Sequence, residues 1–343
     1  MNELAQFCRD LKEDFTPKSK DTKKPVSYWS EKDFLNDKIV DTFVIILRTK
    51  GCFWALKSGC SMCGYFNDSM WDNISDDDLL AQFNTAMRTY SGQSFVKIFT
   101  SGSFLDDNEV RPKARKQILG KLAETTDKVS VESRPEFITD KKLSDIKELF
   151  ESKTFEVGLG LETANDFIRE YCLNKGFKLE GYKKAAKKLK KYNFKLKTYV
   201  LIKPPFITEK ESINDAINTF DKIKKITDTV SFNPTNVQRN TVVEYLWNRR
   251  QYRPAWLFSV IEIIKKSKKI SEKVRIKCDI VGGGSIRGVH NCKFCDRKFL
   301  DAISEFSLSQ NLSVFNNLDC NCMEKWLDQL DIEDLGFGSI VNM

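Results

Sequence analysis

Short apolar segments rich in β-branched and aromatic residues recur along the chain, and longer amphipathic stretches separate them. The apolar segments are typical of buried β-strands, and the stretches between them repeat their apolar positions at helical spacing. The strands are predicted at Thr42–Leu47, Phe95–Phe99, Val129–Val131, Phe155–Leu159, Leu196–Ile202 and Val230–Phe232. The helices between them are predicted at Asp76–Thr89, Arg111–Thr126, Lys141–Phe150, Gly181–Tyr192 and Lys210–Ile226. This alternation predicts an α/β fold with a parallel sheet that forms a partial (βα)6 barrel, and the pattern shows no two further units that would complete an eight-stranded barrel.

The pattern changes at both ends of the chain. Residues 1–38 are predicted to be a partly flexible leader, because the stretch 17–25 is polar, basic and bounded by prolines. The barrel is assigned to residues 39–250, and a long helix at Trp256–Lys266 opens a Cys-rich, metal-binding domain at 251–343. No apolar run approaches the ~20 residues that a membrane helix needs, and the opening residues lack the layout of a signal peptide. We therefore expect a cytoplasmic protein without a membrane partner.

Composition narrows the range of functions. With 41% hydrophobic and 30% charged residues, the chain of 343 residues can bury a real core and is not a disordered protein. The 56 Lys and Arg outnumber the 48 Asp and Glu, and this moderate excess is compatible with a nucleic-acid partner without demonstrating one. The single histidine, His290, excludes chemistry that needs several imidazoles, such as a three-His zinc site.

Eight of the ten cysteines fall into two groups, and Cys8 and Cys172 stand apart as ordinary thiols. In a reducing compartment, grouped cysteines more often bind metal than form disulfides. The first group, Cys52, Cys60 and Cys63, directly follows the first predicted strand, at the edge where parallel α/β folds place their active sites. Three cysteines can bind three irons of a four-iron cluster and leave the fourth iron open. A structural zinc site with an additional ligand and chance clustering are the alternatives.

Polar residues follow the other predicted strands at the same edge. They are Ser101, Gly102 and Ser103 after the second strand, Glu132 and Arg134 after the third, Glu162 after the fourth, Lys203 after the fifth and Gln238 after the sixth. Taken singly, the Ser101–Ser103 segment is typical of a turn, and Glu132 with Arg134 is typical of a salt-bridged strand end. Their recurrence at one edge favours a shared site.

The cysteine loop, from Gly51 to Tyr65, resembles the cluster loop of radical S-adenosylmethionine (SAM) enzymes. Its spacing, C-x7-C-x2-C, has the longer first gap of RNA-modifying branches such as the elongator catalytic subunit, and Glu132-Ser133-Arg134-Pro135 resembles the Glu-Thr-Arg-Pro segment of that branch. The resemblance implies that Cys52, Cys60 and Cys63 are the catalytic ligands of a [4Fe-4S] cluster. It also implies that SAM is bound by Met62, Ser101, Gly102, Ser103, Glu132, Arg134, Glu162, Lys203 and Gln238.

The combination of these segments with the tail cysteines resembles the radical SAM proteins of archaeosine biosynthesis over about residues 25–330. That family implies a lyase acting on tRNA, with archaeosine synthase as the protein partner and a separate electron donor. The partner attaches lysine to 7-cyano-7-deazaguanine in the D-loop of tRNA, and a 5′-deoxyadenosyl radical then leads to cleavage of a C–N bond of the lysine adduct. Another radical SAM RNA modifier, elongator-like or methylthiotransferase-like, and a non-catalytic metal-stabilised RNA-binding protein are the alternatives.

The second cysteine group offers more ligands than one metal ion needs. Cys292, Cys295, Cys320 and Cys322 are the favoured set for a zinc ion, and His290 or Cys278 are possible substitutes for one of them. A second iron–sulfur cluster and free thiols are the alternatives at this group.

A run of lysines provides the candidate contact with tRNA. Lys184, Lys187 and Lys188 lie along one predicted helix, where spacings of three and four residues concentrate positive charge. Such a helix can follow a phosphate backbone, and it is also typical of a solvated surface.

Overall fold

A computed structural model describes residues 3–13, 15–17, 19–36 and 38–336, and eight of their strands form one sheet in sequential order. The strands are β1 (Ser27–Leu35), β2 (Lys38–Ile46), β3 (Phe95–Phe99), β4 (Lys128–Ser133), β5 (Thr154–Glu162), β6 (Lys195–Ile202), β7 (Thr229–Pro234) and β8 (Arg275–Cys278). Strand β1 pairs antiparallel with β2, and every pair from β2 to β8 is parallel. The carboxyl ends of seven neighbouring strands therefore meet at one edge.

The helices connect and cover these strands. They are α1 (Glu3–Asp10), α2 (Phe53–Lys57), α3 (Asp76–Met87), α4 (Pro112–Thr125), α5 (Asp140–Leu149), α6 (Leu179–Lys191), α7 (Glu209–Ile223), α8 (Val242–Asn248), α9 (Leu257–Ile270), α10 (Asp296–Ser309) and α11 (Met323–Gly336). Local signals fix several of their ends. Helix α7, for example, begins with a capping box in which Thr208 and Glu211 each bond the other's backbone N–H. Among the described helices, none has the length and apolar character required to cross a membrane.

The predicted α/β class and partial barrel are confirmed. The six predicted strands correspond to β2–β7, and each predicted helix lies within a few residues of an observed one. The strand count differs, because β1 and β8 also join the sheet. Strand β1 lies inside the predicted leader and β8 inside the predicted tail domain, so the sheet extends across both expected boundaries. The division into 1–38, 39–250 and 251–343 stays a prediction.

Strands β1 and β8 do not show the apolar pattern of a buried strand, because they carry charged residues that form ion pairs inside the barrel. Asp33 on β1 pairs with Lys277 on β8 at 2.6 Å and with Lys97 on β3. A buried charge is tolerated when a partner of opposite sign is within reach. These strands were therefore missed because their buried side chains are ion-paired rather than apolar.

A second group of buried charges lies toward the amino ends of the parallel strands. Glu156 on β5 lies 2.8 Å from Lys128 on β4 and 3.0 Å from Lys197 on β6. All three side chains are almost fully buried. Together with the Asp33 pairs, they fill the interior of the barrel at the end opposite the predicted site, which leaves that site at the other edge.

Candidate functional site

The cysteine loop leaves the sheet at the carboxyl end of β2. Cys52 is the residue before α2, and Cys60 and Cys63 follow that short helix. The three side chains are partly exposed, and none forms a disulfide. Burial is the main influence that raises the pKa of Cys52, and it raises the pKa of Cys63 to about 12 with a further contribution from Cys60. The thiols of Cys52 and Cys63 therefore resist ionisation, and they need a positive partner, such as metal ions, to become thiolates.

A segment after β5 clamps this loop and was not predicted from the sequence. The Ser61 N–H donates to the carbonyl of Leu173 at 3.0 Å, and the Ser61 hydroxyl donates to the carbonyl of Cys172 at 2.6 Å. The side-chain amide of Asn174 donates to the carbonyl of Gly59 at 2.6 Å. More than 110 residues of sequence separate the partners of each bond, so only the fold brings them together.

The Ser101–Ser103 segment lies directly against the cysteine loop, as its position after β3 predicts. A Cβ atom on Gly102 would lie 2.6 Å from the Cα of Cys52, so the approach of the two segments requires glycine. The Ser103 N–H donates to the carboxylate of Glu109, whose other oxygen accepts from the Thr49 hydroxyl at 2.7 Å. Burial raises the pKa of Glu109. Glu109 thus fixes the Ser101–Ser103 segment to the residues after β2, and no sequence motif indicated this role.

Two cations that follow neighbouring strands, β4 and β5, interact with the cysteines. Arg134, after β4, donates to the carbonyl of Lys175 at 2.8 Å and interacts electrostatically with Cys52. The Lys175 ammonium lies 2.7 Å from the carboxylate of Glu162 at the end of β5. Burial lowers the pKa of Lys175, but Glu162 and Cys60 more than offset this effect and raise it. The predicted residues Arg134 and Glu162 are therefore linked through Lys175, which the sequence analysis did not identify.

A group of acidic and phenolic side chains lies near the cysteines. Glu132 at the end of β4 accepts a hydrogen bond from Tyr199 on β6, and burial raises the pKa of Glu132. Tyr65 interacts electrostatically with Cys63, Asp279 and Glu132, although its side chain is still 57% exposed. An exposed side chain among such neighbours indicates an open interior next to the cysteines. Tyr65, Tyr199 and Asp279 were not predicted as site residues.

Two predicted residues, Gln238 after β7 and Met62 within the cysteine loop, join that loop to the segments that follow β7. The side-chain oxygen of Gln238 accepts from the backbone N–H of Gly64 at 2.5 Å. The Met62 side chain packs against the buried cluster of Val237, Val243 and Tyr252. Gln238 and Met62 therefore both hold the loop in place, and their contact with SAM stays a prediction.

Lys203 forms ion pairs with carboxylates on α7 and α11. Its ammonium lies 3.1 Å from Glu209 at the start of α7 and 3.6 Å from Glu333 on α11, and all but a small part of its side chain is buried. Its carbonyl accepts from the hydroxyl of Tyr252 at 2.7 Å. This ion pair joins the end of β6 to the carboxyl-terminal helices, while the predicted contact with SAM stays a prediction.

The tail cysteines form a second site. The sulfur of Cys292 lies 3.6 Å from those of Cys295 and Cys320, and the sulfurs of Cys295 and Cys322 are 3.7 Å apart. These four form the one group of at least three metal-ligating atoms within 4.8 Å that occurs among the described residues. Burial opposes ionisation of Cys292, but hydrogen bonds from its neighbours outweigh it and lower the pKa to about 7. The favoured ligand set is thus assembled as a site that can bind metal.

The two possible substitutes lie elsewhere. The ring nitrogen Nδ1 of His290 bonds the carbonyl of Gly288 at 2.7 Å, and Cys278 belongs to the buried apolar core at the end of β8. Neither belongs to the four-sulfur group.

The lysine-rich helix is α6, on the outer side of the barrel. Its apolar face is buried, whereas Lys184 and Lys187 are exposed. Lys188 is partly buried and donates to the carbonyl of Ile138 at 3.0 Å. Two of the three predicted tRNA contacts are thus accessible, and the third is engaged with the protein itself.

Comparisons with known proteins agree with the resemblance inferred from the motifs. No family model matches the chain. The archaeosine synthase subunit beta of Methanosarcina acetivorans is 39% identical over 340 residues, covering 98% of each chain. The protein of the same name from Thermococcus kodakarensis is 36% identical over 308 residues, covering 88% of this chain and 95% of that protein.

The matches to solved structures are weaker. The archaeal Elp3 of Methanocaldococcus infernus with an N-terminal deletion has a TM-score of 0.48 at 20% identity, covering 61% of this chain and 54% of that one. Methylornithine synthase (PylB) has a TM-score of 0.49 at 15% identity, and the match covers 68% of this chain and 64% of that one. The full-length sequence similarity decides the family: the chain belongs to the archaeosine synthase subunit beta family.

Proposed function

We propose that this protein is a radical SAM enzyme of tRNA modification. Its proposed reaction is cleavage of a C–N bond in a lysine adduct of 7-cyano-7-deazaguanine in the tRNA D-loop, which leaves archaeosine. The observation that supports it most is the full-length similarity to two proteins named archaeosine synthase subunit beta. The three cysteines at the carboxyl end of β2, next to an open polar interior, supply the matching chemistry.

The cysteine loop fits a [4Fe-4S] cluster with one open iron. Cys52, Cys60 and Cys63 are free thiols on a single partly exposed loop. Their sulfurs are not gathered within 4.8 Å as the tail sulfurs are. Four thiolates on one ion must crowd together, whereas thiolates on separate irons of a cluster lie farther apart. The wider arrangement therefore favours a cluster over a single ion.

When bound, the cluster and SAM would supply a carbon radical able to remove a hydrogen atom from the lysine portion of the substrate. The chain's own residues position and shield that chemistry. The glycine at position 102 lets the β3 segment approach the loop, and Arg134 and Lys175 place positive charge beside the cysteines. The Glu132, Tyr199 and Asp279 side chains give the interior hydrogen-bonding and acidic groups. These groups suit a substrate that bears amines.

The tail site is proposed to bind zinc. Zinc–sulfur bonds of about 2.3 Å at tetrahedral angles place neighbouring sulfurs about 3.8 Å apart. The observed separations of 3.6 and 3.7 Å lie close to that value. The site joins the start of α10 to the start of α11, far from the cysteine loop in sequence, which favours a structural role.

The proposed partners are tRNA, an archaeosine synthase subunit and an electron donor. The relatives' name, subunit beta, supports a protein partner. Lys184 and Lys187 on α6, with Lys188, are the proposed contacts with the tRNA backbone. The cytoplasm is the proposed location, because tRNA and a reduced cluster are found together there.

The test is anaerobic reconstitution of the protein with iron and sulfide, followed by incubation with SAM, a reductant and tRNA that carries the lysine adduct. We expect 5′-deoxyadenosine in solution and archaeosine among the nucleosides, both measured by mass spectrometry. The matched control is tRNA that carries 7-cyano-7-deazaguanine without lysine, which should give no archaeosine. Formation of 5′-deoxyadenosine without any change in the lysine-adduct tRNA would contradict the proposed substrate.

A further inference from the structure

We infer that Lys12, which belongs to none of the motifs, is a positioning residue of the cysteine site. Its ammonium group holds the loop between Cys52 and Cys60 and adds a positive charge beside the three cysteines, and no carboxylate among the described residues pairs with it. This inference rests on the proposed function, because it concerns the cluster that those cysteines would bind.

The Lys12 side chain is buried and its ammonium group is held by two hydrogen bonds. Its side chain is only 8% exposed, and its Nζ atom donates to the carbonyl of Ala55 at 2.7 Å and to that of Ser58 at 2.6 Å. Both carbonyls belong to the last turn of α2, where helix carbonyls lack partners within the helix and the dipole attracts a cation. A Cβ atom on Gly59 would lie 2.6 Å from Nζ, so the loop leaves room for the ammonium at a glycine. Lys12 therefore caps α2 and fixes the approach to Cys60.

The ammonium also acts on the cysteines themselves. Lys12 interacts electrostatically with Cys52, Cys60 and Cys63, and with the buried Cys8 on α1. The segment that supplies it is anchored, because Cys8 is buried and the Phe7 ring lies 4.8 Å from that of Tyr245 on α8. Helix α1, which packs on the barrel, therefore positions Lys12 next to the cysteine loop.

The other cations near the cysteines are already paired with carboxylates. Lys175 lies 2.7 Å from Glu162, and Arg134 lies 2.7 Å from Glu136. Within the ranges that the structure describes, Lys12 bonds only carbonyl oxygens and has no carboxylate partner. Of these three cations, Lys12 is therefore the one whose ammonium has no carboxylate partner in the part of the chain that the structure describes.

A fixed positive charge favours the more negative of two redox states. Reduction of a four-iron cluster adds one electron, so a buried ammonium beside its thiolates makes that reduction easier. Removing the charge should make the bound cluster harder to reduce, even where the loop keeps its shape.

The experiment compares Lys12→Met and Lys12→Arg with a matched control, Lys57→Met, after anaerobic reconstitution. Lys57 is exposed on α2, so its replacement changes the same net charge without touching the cysteines. Iron content is measured first, and the reduced cluster is then titrated against potential by paramagnetic resonance. For Lys12→Met we expect about a tenfold lower ratio of reduced to oxidised cluster at a fixed potential, equivalent to about 59 mV for one electron. Lys12→Arg and Lys57→Met should stay within about twofold of the unaltered protein.

The possible results distinguish failure of the inference from failure of the proposed function. Loss of iron in Lys12→Met with retention in Lys12→Arg also supports the inference, because the two variants differ in charge at the same place. Normal iron and an unchanged titration in Lys12→Met overturn it, and so does equal loss of iron in both Lys12 variants. If the unaltered protein binds no four-iron cluster, the proposed function fails and the inference fails with it. If only the Lys12 comparison shows no difference, the proposed function stands.

Discussion

The side-chain oxygen of Gln238 accepts a hydrogen bond from the backbone N–H of Gly64, across 174 residues of sequence, at a distance of 2.5 Å. Gly64 is buried and directly follows Cys63. The segment after β7 therefore holds the cysteine loop after β2, although four parallel strands lie between β2 and β7 in the sheet.

Replacing Gln238 with alanine should destabilise the cysteine loop. The change leaves the buried N–H of Gly64 without its partner, which typically costs about 1–3 kcal/mol. Unfolding in urea and iron content after reconstitution are the measurements, and both should fall. The control is Gln251→Ala, since Gln251 is exposed. Equal stability of the two variants would contradict the role of Gln238.

The Cys60→Ala variant should lose the cluster and the formation of 5′-deoxyadenosine. Two thiolates cannot hold a cluster that three bind in the intact loop. Iron content, visible absorption and the paramagnetic signal of the reduced protein are the measurements. Cys172→Ala is the control: that thiol is buried outside the loop, and the backbone carbonyl that Ser61 bonds remains. Normal iron content in Cys60→Ala would reject the ligand assignment.

The intact protein should contain about one zinc ion in addition to its iron. The double variant Cys292→Ala, Cys295→Ala should lose that zinc and unfold at a lower temperature, because half of a tetrahedral ligand set is removed. Metal analysis and thermal unfolding are the measurements. The controls are Cys278→Ala and His290→Gln, which should keep the zinc because neither residue belongs to the four-sulfur group. Absence of zinc from the unaltered protein would refute this prediction.

Converting Lys184 and Lys187 to glutamate should weaken tRNA binding and flatten its dependence on salt concentration. Each lost phosphate contact reduces the number of counterions released on binding. Lys188 is left unchanged, since its bond to the Ile138 carbonyl makes its replacement a test of folding instead. The control is Lys113→Glu with Lys116→Glu, two exposed lysines on α4. If both pairs alter the salt slope equally, α6 has no special part in tRNA binding.

Glu156 should make the protein sensitive to acid. Burial raises the pKa of this carboxyl, but Lys197 and Lys128 outweigh burial and hold the pKa well below its usual range. A carboxyl whose pKa is lower in the folded state contributes stability above its unfolded pKa of about 4.3, and the protein loses that stability as the pH falls through the folded value. Stability should therefore decline below about pH 5.

The Glu156→Gln variant tests this dependence. At pH 7 it should be less stable by about 3–5 kcal/mol, because Lys128 and Lys197 lose their buried counter-charge. Its decline in acid should be shallower than that of the unaltered protein. Urea unfolding at pH 7, 5 and 3 measures both effects, with the exposed Glu148→Gln as control. Parallel pH profiles for Glu156→Gln and the unaltered protein would contradict the assignment.

The sequence by itself determined the strand and helix alternation from β2 to β7 and the edge at which chemistry is placed. Apolar runs of strand length are local signals, and parallel strands bring their carboxyl ends together without further information. For the same reason, the cysteines at 52, 60 and 63 and the polar residues after each strand could be assigned to one site. Family motifs within those segments then supplied the expected cofactors.

Only the tertiary structure decided which distant side chains complete the site. Lys12, Lys175 and Asn174 carry no local pattern, and their importance comes from partners that lie far away in sequence. The selection of four tail cysteines from six possible ligands needed their separations in space. Strands β1 and β8 could not be predicted from the sequence for a related reason. Their buried charges are stabilised as ion pairs between residues far apart in sequence, and a local pattern of apolar and polar positions does not show which charges pair.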